Sequence, residues 1–207
     1  MKTYFENYAS AFHAALVAVE VTDREGNRLH PDEAFTRLCQ RIGALREKGS
    51  RQFLCGNGAS AALSNHMALD WTKNAGVKTI SFSDSAMLTA LGNDIGYAEV
   101  FATPLKWFAE TGDQLVTVSS SGNSPNIVRV LETALELGLS TVTFSGLRPD
   151  NVSRKMGDLN FYVPAKTYGI VESVHQLLLH LCLDRFLGVE EWARSDTQNM
   201  RRDEFRM

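Results

Sequence analysis

Apolar positions along this 207-residue chain change their spacing near residue 50. Before that point, residues 2 to about 20 and 32 to 48 carry apolar side chains at intervals of three and four, which predicts two amphipathic helices. Pro31, Asp32 and Glu33 supply the second with a start signal. The segment between them, "TDREGNRLH", reads as a polar connection. From Gln52 onward, short apolar runs at 52–55, 78–82, 114–118, 140–146 and 159–163 predict five strands. Helical patterns intervene from Ser60 to Asn74, through "EVFATPLKWFAE", from Pro125 to Leu137, briefly near 151–156, and from Gly169 to Leu187. Apolar strands alternating with helices predict an α/β, three-layer fold: a five-stranded parallel sheet, helices on both faces, and the N-terminal helical pair packed on it.

No internal repeat or low-complexity linker interrupts the pattern, so one domain over 1–207 is expected: helices within 1–48, a sheet core over 52–187 and a charged tail over 188–207. Trp192, Met200 and Phe205 suggest that the tail docks, with a frayed, solvated tail as the alternative. Composition narrows the function classes. At 44% hydrophobic and 22% charged, the chain can bury one core, and its formal net charge of −3 argues against nucleic acid as the main partner. Cys39, Cys55 and Cys182 are widely spaced in apolar surroundings and are expected to be reduced core residues. "MKTYFENYASAFHAAL" is amphipathic and carries Glu6, unlike a signal peptide, and no apolar run has the length of a membrane span. A cytoplasmic protein is expected.

Two strand-to-helix junctions carry the candidate chemistry. Ser119, Ser120, Ser121, Gly122, Asn123 and Ser124 separate an apolar strand from a helix whose first turn holds Pro125. Free N–H groups and the positive end of the helix dipole meet there, which suits a phosphate. A cap alone would need one such residue, and Ser124 would serve. The other junction, "CGNGASAALSNHMALD", lets Gly56 and Gly58 turn sharply before Ser60, read as the cap of the next helix. It lacks both the GxGxxG and the GK[ST] signatures.

"GNGASAA…H", "LTALGNDIGYAEVF", "SSSGNSPNIVRVLETA" and "VHQLLLH" together resemble the sugar isomerase domain family, and within it the phosphoheptose isomerase branch. The resemblance runs from about Gln52 to Leu187. It implies a flavodoxin-like sheet, a homotetramer with active sites between subunits, interconversion of sedoheptulose 7-phosphate and a heptose 7-phosphate, and bound zinc. Position by position it implies phosphate binding by Ser60, Ser119, Ser120, Ser121 and Ser124. It places Asn57, Gly58, Asn93 and Asp94 at the sugar, and gives metal or acid–base roles to His66, Asp70, Glu172 and His180. Four positions depart from the family's pattern: Asp70 for a glutamate, Glu172 for a glutamine, Gly169 for an aspartate and Asn74 for an arginine.

Moving a carbonyl between neighbouring sugar carbons requires a proton taken from carbon and oxygens stabilised through an enediol, work for a carboxylate and an imidazole. His66 and Asp70 lie four apart on one helix, on a shared face that suits chelation. Glu172 and His180 lie eight apart, about 12 Å along a straight helix, so they meet at one ion only if their side chains converge or neighbouring subunits contribute. Two histidines and two carboxylates favour zinc, with manganese or nickel tolerated. His175 reads as a core histidine. The leading reading is therefore an aldose–ketose isomerase with Asp70, Glu172 and His180 as catalytic groups. The alternatives are an isomerase of another phosphosugar, or a non-catalytic binding module, since the family has a branch that binds a replication initiator. The first helix is apolar over much of its circumference, which points to homo-oligomerisation.

Overall fold

The computed structural model describes residues 3–193. Among these, seven helices surround a seven-stranded sheet. Helix α1 (Tyr4–Val17) starts at a capping box in which Thr3 and Glu6 satisfy each other's backbone N–H groups. Strands β1 (Glu20–Asp23) and β2 (Arg28–Leu29) follow, then α2 (Pro31–Lys48), closed by Gly49 in the left-handed region. The remaining elements alternate: β3 (Arg51–Gly56), α3 (Ala59–Ala75), β4 (Lys78–Ser81), α4 (Ser85–Asp94), α5 (Ala102–Phe108), β5 (Gln114–Ser119), α6 (Pro125–Glu136), β6 (Ser140–Gly146), β7 (Leu159–Val163) and α7 (Tyr168–Leu187).

The strand order is β2-β1-β7-β6-β5-β3-β4. The five strands β3 to β7 pair in parallel, as their alternation with helices requires. The sheet as a whole is mixed, because β1 pairs antiparallel with both β2 and β7. The "TDREGNRLH" segment is thus a hairpin that extends the sheet. Val21 is buried in the core, and Glu20 is held 2.6 Å from Arg154. Nor do α1 and α2 form a pair of their own: each packs against α7.

Alternate side chains of the inner strands serve opposite faces. Leu54, Val116, Val118, Val142 and Phe144 join Ile42, Met67, Trp71, Val171 and Leu178 on one side. Phe53, Cys55 and Leu115 join Phe101, Leu105, Ile127 and Leu131 on the other. A period of two with both faces covered is what a buried parallel sheet demands. The three cysteines are free thiols; Cys55 and Cys182 are buried, while Cys39 is half-buried and directs its sulfur 3.7 Å from the Cys182 carbonyl oxygen. No helix among the described residues is long and apolar enough to cross a membrane. Trp192 is 83% exposed, whereas Met200 and Phe205 lie outside the described residues.

The connectivity fixes where a ligand can enter. From β3 the chain moves outward to β4, then returns to lay β5 on the other side of β3. The loops after β3 and β5 therefore leave neighbouring strand ends in different directions, opening a crevice at the carboxyl edge of the sheet.

Candidate active site

That crevice is a cleft of about 300 Å³, lined by Asn57, Gly58, Ala59, Ser60, Val118, Ser119, Ser120, Ser121, Ser124, Tyr168 and Glu172. Glycine is obligatory at its floor. A β-carbon on Gly56 would lie 2.6 Å from the Ser60 carbonyl oxygen, so only glycine lets α3 begin this close to β3. Gly58, not Ser60, precedes the first helical residue, and Ser60 sits inside the first turn with its side chain in the cleft. A missing Cβ makes Gly58 the N-cap of a helix whose amides open toward the ligand.

The β5–α6 loop is braced from below. The Gly122 N–H donates to the Ser119 carbonyl at 3.0 Å, and the Ser153 N–H donates to the Gly122 carbonyl at 3.0 Å. Gly122 has φ +61°, and any β-carbon there would run into the Asn151 carboxamide. Ser124 holds the N-cap position of α6 without capping it through its side chain; its hydroxyl lies 3.4 Å from that of Ser121. The Ser120 hydroxyl is buried with no partner. An unpartnered hydroxyl in a cleft at a helix N-terminus is a donor waiting for an anion.

A second cluster lies further along α3 and α7, the helices that bring Ser60 and Glu172 to the cleft. One ligand atom each from His66, Asp70 and His180 lies within 4.8 Å of the others. The His66 and His180 rings are 5.2 Å apart between centroids. Asp70 Oδ2 stands 3.3 Å from His66 Nε2 but out of hydrogen-bond alignment, and is buried without a partner. A buried carboxylate oxygen with a free lone pair and two imidazoles beside it is the donor set of a divalent transition metal with one position open. Glu172 is not among the converging atoms; it lines the cleft with Tyr168.

The remaining sequence candidates separate. Asn93 and Asp94 end α4, exposed and hydrogen-bonded to each other at 2.8 Å, and are not among the cleft-lining residues. His175 is fully buried: its Nε2 lies 3.0 Å from the Ser145 carbonyl, its Nδ1 has no partner, and burial pushes its pKa down to about 4. It is a core histidine. At the departures, Asn74 buries its amide nitrogen without a partner, and a β-carbon on Gly169 would stand 3.2 Å from the Tyr8 hydroxyl of α1. Tyr168 was not legible as a cleft residue, because it precedes the helix expected from Gly169, nor was Asn126 as a partner of Asn57, 69 positions away in the chain.

The SIS domain model matches residues 30–146. A phosphoheptose isomerase of Fusobacterium nucleatum is 30% identical over 159 residues, covering 74% of this chain and 80% of that protein. One from Helicobacter pylori (strain P12) is 34% identical over 149 residues, covering 69% and 77% respectively. The solved phosphoheptose isomerase of Neisseria gonorrhoeae superposes with a TM-score of 0.73 at 24% identity, covering 89% of this chain and 99% of that one. That structure carries the likeness of fold, and the two curated relatives carry the likeness of sequence. With more than half of its length inside the family model, the chain belongs to the SIS domain family.

Proposed function

We propose that this chain is an aldose–ketose isomerase that interconverts sedoheptulose 7-phosphate and a heptose 7-phosphate. The carrying observation is the order of groups along α3 and α7. Ser60 and Glu172 face the cleft with the serine loop, and His66, Asp70 and His180 converge further along the same helices. From Ser60 to His66 the rise along α3 is about 9 Å at about 1.5 Å per residue. An extended seven-carbon chain has a length of that order, so a phosphate in the serine loop leaves the sugar's other end near the histidines.

Each group has a role in this reading. Ser60, Ser119, Ser120, Ser121 and Ser124 hold the phosphate through hydroxyls and helix-end amides. Asn57 and Gly58 border the carbon chain. His66, Asp70 and His180 would hold a zinc ion, which when bound supplies a Lewis acid for the substrate's oxygens. Asp70 stands with the histidines at the carbonyl end of the sugar, and a carboxylate that gives one oxygen to an ion keeps a second that can take a proton, so Asp70 is the base, while Glu172 lines the phosphate end of the cleft. Asp70 takes the proton from the carbon beside the carbonyl and returns it to the neighbouring carbon across the enediol. His180, when free of metal, is placed to move the hydroxyl proton. The names of the relatives support the substrate class, and the cleft supports the phosphate.

The chain is also proposed to work as a homotetramer. Helix α1 buries only Ala15, while Tyr4 and Phe5 are 84% and 79% exposed. An amphipathic helix with its aromatic residues outward is half of a helix–helix contact.

Metal analysis tests the zinc assignment together with activity. Purified wild type is expected to hold zinc and to convert sedoheptulose 7-phosphate, and His66→Ala and His180→Ala to lose both. Equal zinc content in all three proteins would place the ion elsewhere.

A further inference from the structure

Asn57 and Asn126 exchange both halves of their carboxamides. Asn57 Nδ2 donates to Asn126 Oδ1 at 2.9 Å, and Asn126 Nδ2 donates to Asn57 Oδ1 at 2.8 Å. The Tyr97 hydroxyl donates a further bond to Asn57 Oδ1 at 3.3 Å. Only Asn57 of the three lines the cleft. Asn126 is 2% exposed, on the first turn of α6 directly after Pro125.

A carboxamide offers two N–H donors and two acceptor lone pairs. Both acceptor positions of Asn57 are taken, by Asn126 and Tyr97, and one of its N–H groups is used by Asn126. What remains is a single N–H on a half-buried side chain at the cleft. The amide cannot turn over alone, because that would set N–H against N–H and oxygen against oxygen across the pair. The backbone of Asn126 is as firmly fixed as the phosphate loop, since both belong to the start of α6. The pair therefore also sets the distance between the donor and the phosphate seat.

We propose that Asn126, supported by Tyr97, is a positioning residue that locks the Asn57 amide so that the cleft meets a hydrogen-bond donor, selecting an oxygen acceptor on the substrate's carbon chain. The identity of the substrate rests on the isomerase reading; the geometry of the pair does not.

Asn126→Asp is nearly isosteric but sets a carboxylate oxygen against Asn57 Oδ1 whichever way that amide is turned, so the two-bond pairing is lost and the amide is no longer locked in one orientation. Calorimetry compares the binding of inorganic phosphate and of sedoheptulose 7-phosphate in wild type, Asn126→Asp, Asn57→Ala and the double variant, with kcat and KM measured alongside. Phosphate and sugar phosphate carry the same charge, so repulsion from a carboxylate at position 126, two residues from Ser124, weakens both alike, and the losses expected for the sugar phosphate are those beyond the change in phosphate affinity. Sugar-phosphate affinity in Asn126→Asp is expected to fall roughly tenfold, and kcat by roughly tenfold to a hundredfold, as for a misplaced contact. The double variant is expected to be no worse than Asn57→Ala, because Asn126 acts through Asn57. Equal weakening of both ligands by Asn126→Asp, or losses that multiply in the double variant, would mark a structural role and overturn the proposal. Should Asn126→Asp not fold, the exposed Tyr97→Phe decides: weaker sugar-phosphate binding with unchanged phosphate binding supports the lock, and no change overturns it. A wild type that binds the sugar phosphate without converting it removes the isomerase reading, while the binding comparison still decides the role of Asn126. A wild type that binds it no more tightly than phosphate overturns this proposal.

Discussion

His175 and Ser120 show how a single residue's surroundings separate packing from chemistry. His175 points its ring edge at Phe144 and its Nε2 at the Ser145 carbonyl, fully out of water. Burial holds its pKa near 4, below the ordinary value of 6.5. In the unfolded chain the ring takes a proton as pH falls below 6.5, whereas the folded protein refuses it until about pH 4. Stability should therefore fall as pH drops through that window, by up to ~3 kcal/mol from this one ring, and level off below it. Urea melts at several pH values check this: His175→Leu should be less stable at pH 7, yet lose less between pH 7 and pH 5 than wild type does. Ser120 is the opposite case. Its hydroxyl is buried without a partner, so Ser120→Ala should not lower the melting temperature. It should weaken phosphate binding several-fold, about 1 kcal/mol for one hydrogen bond. A lower melting temperature with unchanged phosphate affinity would make the serine part of the packing.

Elements whose sequence pattern matched their burial were legible. Strands β3, β5, β6 and β7 are apolar runs because both faces of each are covered, the edge strand β4 leaves Lys78 and Ile80 exposed, and Pro125 marks the start of α6 because its ring suits the first helical turn. The β1–β2 hairpin was not legible. Its strands have four and two residues, its ends are charged, and only the buried Val21 and Thr22 betray the core. What makes it a strand is the free edge of β7, a partner about 140 residues away in the chain. Helix α1 is apolar over more of its circumference than one packed face needs, and the fold leaves Tyr4, Phe5 and Val17 exposed. If this face meets another copy, Tyr4→Glu with Phe5→Glu should lower the solution mass measured by light scattering while helicity stays unchanged. A variant that keeps the wild-type mass, or a wild type that is monomeric at micromolar concentration, would show that the face is not an interface.

At the scale of the molecule, topology assembles the site from distant stretches. Both loops could be named from their glycines and serines, because helix starts with small residues carry a local signal. The partition among His66, Asp70, Glu172 and His180 could not. Helix spacing alone separates Glu172 from His180 by two turns, and only the packing of α3 on α7 shows which of them joins His66 and Asp70. The Asn57–Asn126 pair was invisible for the same reason. If the protein is an isomerase, this cleft moves a proton between two carbons of a phosphorylated sugar. The direct test is to incubate the protein with sedoheptulose 7-phosphate in heavy water and follow the sugar by NMR. An aldose heptose 7-phosphate should appear, at least part of it carrying deuterium on the carbon next to the carbonyl. No aldose, or an aldose free of solvent deuterium, would contradict the isomerase reading.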